Sequence, residues 1–129
     1  MEPTIKCGKQ LAEHENLSES RFHDVNLTQA DFDNVCLAQT RIHNVNMSDM
    51  TIECVQMGGT SFRHVGLPPE QRTAAKQRPL MFEDCDLNGS AFKKVDLSGA
   101  KIAECNIEGM TIDDMLVTDL IMAYKNRSK

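Results

Sequence analysis

The sequence predicts an all-β solenoid with four sides to each coil, and three observations carry that expectation. The first is a spacing of five: Phe22, Leu27, Phe32, Leu37, Ile42, Met47, Ile52, Met57, Phe62 and Leu67 follow one another without a miss. The second is a smaller or branched residue two places ahead of each centre, namely Ser20, Val25, Ala30, Val35, Thr40, Val45, Met50, Val55, Thr60 and Val65. The third is an alternation of the centres. Phe or Ile at 22, 32, 42, 52 and 62 trades with Leu or Met at 27, 37, 47, 57 and 67, a repeat of ten.

A period of five fits neither regular element. Along a helix the apolar residues would spiral around the axis, and along a straight strand each repeat would flip to the opposite face. The chain must therefore bend once per repeat so that every centre points to a shared axis, which makes a solenoid. Three sides per coil would scramble the ten-residue alternation, and two sides enclose no core. Four sides, or twenty residues per coil, is the simplest solution.

The pairs Asn26-Leu27, Asp31-Phe32, Asp86-Leu87, Asp96-Leu97 and Asn106-Ile107 resemble the consensus of the pentapeptide-repeat family, and the likeness runs over residues 17–117. The resemblance implies a right-handed quadrilateral β-helix and says little about activity, because the family is defined by its core. More distantly, the chain resembles members that bind type II topoisomerases and protect gyrase from quinolones by presenting an acidic rod resembling DNA. In several relatives the C-terminal helix makes a dimer contact, so the resemblance also implies a homodimer as an alternative.

Residues 1–129 read as one domain. Residues 1–15 fall outside the repeat and form an N-terminal cap, with Ile5, Cys7 and Leu11 available to cover the first coil. Residues 16–67 make the first coils. The pattern then fails: Pro68 and Pro69 cannot donate to a ladder, and Arg72 and Gln77 stand where centres belong. Residues 68–79 are therefore an extruded loop, in which Arg72, Lys76 and Arg78 outweigh Glu70 and offer a candidate partner-binding element. The count resumes over 80–117 with Phe82, Leu87, Phe92, Leu97, Ile102, Ile107 and Ile112, and weakly Val117. Nearly five coils would make a rod about 24 Å long at about 4.8 Å per coil. Val117, Leu120, Ile121 and Tyr124 then give helical spacing over 118–126, with Thr118 as N-cap, Asp119 at the positive end and Lys125, Arg127 and Lys129 at the other.

Sorting the surface by side separates charge that the net value of −5 conceals. One side carries Arg21, His23, Arg41, His43, Arg63, His64, Lys93 and Lys94. The side opposite carries Asp31, Asp33, Glu53, Glu83, Asp84 and Glu104, with Lys101 its one base. Arg21, Arg41, Arg63, Lys93 and Lys94 join the loop residues as candidates for contact with a protein partner. Aligned His23 and His43 lack a carboxylate cluster to complete a metal site. No nucleophile–base pair, phosphate-cradling Gly loop or paired-carboxylate site is present, so neither catalysis nor a cofactor is expected. The acidic pI of about 5.3 argues against direct nucleic-acid binding. No apolar run is long enough to span a membrane, and no signal segment is evident, so a cytoplasmic location is expected. The five cysteines show no zinc spacing, and Cys85 and Cys105 are expected as stacked buried thiols. The expected function is a non-enzymatic interaction scaffold, with a topoisomerase-binding DNA mimic as the alternative.

Overall fold

A computed structural model describes residues 5–71 and 76–127. Its backbone repeats every five residues, as the spacing demands, and the device is a left-handed residue two places after each centre. After Phe or Ile centres this residue is Asp24, Asn34, Asn44, Cys54, His64, Asp84, Lys94 or Glu104. After Leu or Met centres it is Glu19, Gln29, Gln39, Asp49, Gly59, Gly89 or Gly99, and Gly109 takes the same place after Ile107. A positive φ reverses the local path of the chain, so one such residue per repeat supplies the bend. Asn, Asp, His and Gly tolerate it best, and β-branched residues least. Hence Val occupies the place after the left-handed residue and never the left-handed place itself.

The ten-residue alternation is an alternation of two turns. At Leu or Met centres the carbonyl accepts from the N–H three residues on: Leu27 from Ala30 at 3.0 Å, Met57 from Thr60 at 3.0 Å, Leu87 from Ser90 at 3.0 Å and Leu97 from Ala100 at 3.0 Å. At Phe or Ile centres the chain bends at the left-handed residue instead. The residue ahead of the centre biases this choice. Oδ1 of Asn16, Asn26, Asn46, Asp86, Asp96 and Asn106 accepts from the N–H two residues on, at 2.9–3.0 Å. This side-chain turn pre-forms the backbone turn. Cys36 and Gln56 cannot make it, yet Leu37 and Met57 keep their backbone bonds, so the Asx contact assists the turn and is not required.

The chain divides into two compact units, Met1–Thr60 and Ser61–Lys129. In the first, His14 at φ 56° continues the left-handed series one step earlier than the apolar pattern indicated. The repeat thus begins with Ala12 as a centre, inside the span read as a cap, and an alanine centre gave the spacing no apolar signal. Ile5 and Leu11 are exposed (Leu11 81%) and cover nothing; Cys7 is exposed as well. Residues 1–4 lie outside the described residues.

In the second unit, one 3-10 turn (Pro69–Gln71) opens the inserted segment, closed by Gln71 N–H to the Pro68 carbonyl at 2.9 Å. The repeat resumes at Phe82. The last centre, Ile112, lies in β1 (Thr111–Ile112), which pairs antiparallel with β2 (Met115–Leu116). Asp113 and Asp114, both at positive φ, form the two-residue hairpin turn whose twist suits the paired strands. The C-terminal helix α1 spans Val117–Asn126. Its N-cap is Leu116, without a side-chain cap, rather than Thr118, which lies inside the first turn. Strand β2 feeds directly into the helix, and Val117 N–H, one of the first-turn donors, is satisfied by the Met110 carbonyl at 3.0 Å. Asp119 still sits in the first turn and Lys125 in the last. Arg127 closes the end, stacked 3.8 Å over the Tyr124 ring; Lys129 lies outside the described residues.

The packing differs from a filled solenoid. Among the described residues none is buried; Phe22 is 54% exposed and Leu97 55%. Among the described residues no two Cα atoms twelve or more positions apart come within 8 Å. The accessible surface is 14482 Å², against about 6,900 Å² for a compact chain of this mass. Regular pairing among the described residues is confined to β1 and β2. The turns are set by contacts within five residues, whereas coil-on-coil ladders, which would fill the axis, are not formed in this structure.

The turn geometry makes a paired prediction. Gly58 and Gly59 both have open space around an added Cβ, but only Gly59 has positive φ, at 79°. Gly59→Val should cost about 1–2 kcal/mol from backbone strain, whereas Gly58→Ala should be close to neutral in thermal melts.

Candidate functional site

The two turn classes carry two surface chemistries. The turns at Leu or Met centres present Ser18, Thr28, Ser48, Asn88 and Ser98, small polar groups engaged with the Asx oxygen through the backbone and, for Ser18, Thr28, Ser48 (2.7 Å) and Ser98, through the hydroxyl as well. The charged candidates cluster on the other class. Arg21 and His23 flank Phe22, Arg41 and His43 flank Ile42, and Asp31 and Asp33 flank Phe32, all within the first unit and all exposed. In the second unit Arg63 and His64 follow one such turn, Glu83 and Asp84 the next, and Lys93 and Lys94 the one after, again exposed. Each cluster is built the same way: the charged residues flank or follow the centre, and all of them are exposed, where a charge stays solvated.

The histidines fold back onto their own turns. His23 Nε2 lies 3.2 Å from Asp24 Oδ2, and His43 Nε2 lies 3.2 Å from Asn44 Nδ2. An ion pair this exposed contributes little to stability. Among the described residues no three His, Cys, Asp or Glu side chains gather as metal ligands. Arg21, Arg41, Arg63, Lys93 and Lys94 form no ion pair with a described carboxylate, so their charge faces solvent.

In the inserted segment, the charge of Lys76 makes a minor contribution to lowering the Asp96 carboxyl. Pro79, Leu80, Met81 and Phe82 line one cavity of about 500 Å³ with Gly99, Ala100 and Lys101. The two stretches are twenty residues apart, as are Lys76 and Asp96. Arg72 lies outside the described residues, and Arg78 is engaged within the molecule. A second cavity, of about 310 Å³, lies between Ile107 and the Thr118, Ile121, Met122 and Lys125 side chains of α1. Neither cavity holds a nucleophile beside a base.

Sequence reasoning missed the Asx oxygens as a class, although the signal was visible: Asn or Asp precedes six of the Leu, Met or Ile centres that make this turn. Asp96 is the best placed of them. The Ser98 hydroxyl and the Ser98 N–H, the latter at 2.9 Å, both donate to its Oδ1, and with Lys76 nearby they hold its carboxyl below the usual 3.8.

The sequence model described as pentapeptide repeats matches the chain in eight copies, over residues 16–49 and 82–113. The turns centred on Ile52, Met57 and Phe62 lie outside those residues and follow the same backbone course. No curated protein and no solved structure matches the chain.

Asp96 gives the site a signed pH dependence. A carboxyl held low in the folded chain adds stability that is fully present above pH 3.8 and is lost as pH falls through its folded value. Asp96→Asn keeps an oxygen acceptor, as Asn26 and Asn106 show at their own turns. It should therefore match the parent near neutral pH and remove this part of the acid loss, read as a flatter melting temperature in an acid series.

Proposed function

The chain belongs to the pentapeptide-repeat family, and from that premise we propose that it is a non-enzymatic interaction scaffold whose basic turns dock an acidic protein surface. Members of this family are structural and interaction proteins, and their repeats imply a β-helix solenoid. The observation that carries the reading is the sorting of charge by turn class. Basic groups recur at Phe22 and Ile42 in the first unit, twenty residues apart, with nothing catalytic beside them. Arg63, Lys93 and Lys94 repeat the theme in the second unit. A recurrence of twenty aligns such residues on one side of a four-sided coil, and ordered charge speeds encounter and fixes register more than it adds raw affinity.

The exposed acidic turns at Phe32 and Phe82 favour a second reading, in which the acidic side engages the DNA-binding surface of a type II topoisomerase. Inhibition or protection of the host's gyrase or topoisomerase IV by the purified chain tests that reading, and no effect at micromolar concentration ends it. Homodimerisation through α1 is a further proposal, read by the concentration dependence of sedimentation.

Arg21→Glu with Arg41→Glu should leave melting within about 0.5 kcal/mol of the parent, because both side chains are exposed. Capture of the partner from host lysate should fall at least tenfold and should weaken in added salt for the parent alone. Capture indifferent to both changes would eliminate the basic turns as the docking surface.

We propose also that coils of twenty residues close around the apolar centres. On that reading Leu97→Asp places a carboxylate in a dry core and costs several kcal/mol, comparable with the stability of the whole domain. A soluble Leu97→Asp protein with an unshifted cooperative melt would sink the closed coil.

A further inference from the structure

Cys85 and Cys105 occupy the same place in two turns twenty residues apart, the fourth residue of the turns centred on Phe82 and Ile102. Val stands at the equivalent places 25, 35, 45, 55, 65 and 95. Their local geometry is the same: Sγ of Cys85 donates to the Glu83 carbonyl at 3.2 Å, and Sγ of Cys105 donates to the Ala103 carbonyl at 3.1 Å. Both thiols are exposed, contrary to the expectation of burial, so a small oxidant can reach them. Cys36 and Cys54 sit at other places in the repeat, ahead of a centre and at a left-handed position, and do not align with this pair. In the same unit two stretches twenty residues apart, 79–82 and 99–101, line one open cavity.

We propose that Cys85 and Cys105 form a reversible disulfide that locks two successive turns of the chain together. The proposal rests on the twenty-residue coil put forward above. In the present conformation the bond is out of reach, since among the described residues no Cα atoms so far apart in sequence lie within 8 Å. Coils closed to a strand spacing of about 4.8 Å bring the pair inside the Cα separation of about 4.4–6.8 Å that a disulfide needs. The oxidant is a small-molecule disulfide such as oxidised glutathione. The Cys85 thiolate attacks it, releasing one glutathione thiolate and leaving a mixed disulfide. The Cys105 thiolate then attacks the Cys85 sulfur and releases the second glutathione. Two protein thiols lose two protons and two electrons, and one glutathione disulfide becomes two thiols.

The test treats the full native chain with oxidised glutathione, blocks the remaining thiols and maps the tryptic peptides. Two of the five cysteines should be consumed, with peptide 77–93 joined to peptide 102–125 and a mass lower by two hydrogen atoms. Cys85→Ser should stop at glutathione on Cys105. Glutathione on both residues without a link, or links to Cys7, Cys36 or Cys54 instead, overturns the proposal. A variant with all five cysteines changed to Ser and with Val25→Cys and Val45→Cys separates the two ideas. If that pair links while Cys85 and Cys105 do not, the thiol lock is wrong and the coil stands. If neither pair links, both fall.

Discussion

A left-handed residue at every fifth position is the constraint on which the rest of this structure depends. Without it the chain would run straight, and an odd apolar spacing would scatter its hydrophobic groups over both faces. With it, each five-residue block closes its own bend from contacts inside the block. The cost of positive φ for ordinary residues is about 1–2 kcal/mol each. The polar places of the repeat limit that cost by concentrating Asp, Asn, His and Gly there. Cys54, Lys94 and Glu104 occupy the same conformation with less local compensation.

From this one constraint the surface chemistry follows. Turns that carry a backbone bond and an Asx oxygen present short polar groups. Turns without that reinforcement project longer charged side chains into water. A surface that looks merely mixed in composition therefore has a built order of ten residues in turn type and twenty in charge. Salt-screened recognition by an acidic partner is the use such an order suits best. The family supplies the frame for this reading and leaves the partner to the charges.

The inserted segment shows how local and non-local forces divide. Its prolines end the repeat, and the repeat resumes at Phe82 with the same local turns, without a close approach of residues twenty apart among the described residues. Exposed centres such as Phe62 and Phe92, at 65% and 62%, are the driving force for drawing successive turns closer, since apolar area left in water is the largest favourable term still to be gained.

The sequence by itself determined the repeat, its bend and its two turn classes, because each depends on residues no more than five apart. It also located the break at Pro68 and the existence of α1, for the same reason. It did not show the left-handed bend at His14, whose Ala12 centre gives no apolar signal, and it misplaced the cap of α1, where the Met110 carbonyl does the work assigned to Thr118. Only the structure decided that Ile112 enters a hairpin and that the Cys85 and Cys105 thiols are exposed. Those outcomes rest on a local hairpin that the apolar spacing does not encode and on whether successive turns pack together, and a five-residue pattern holds no information about distance across the coil.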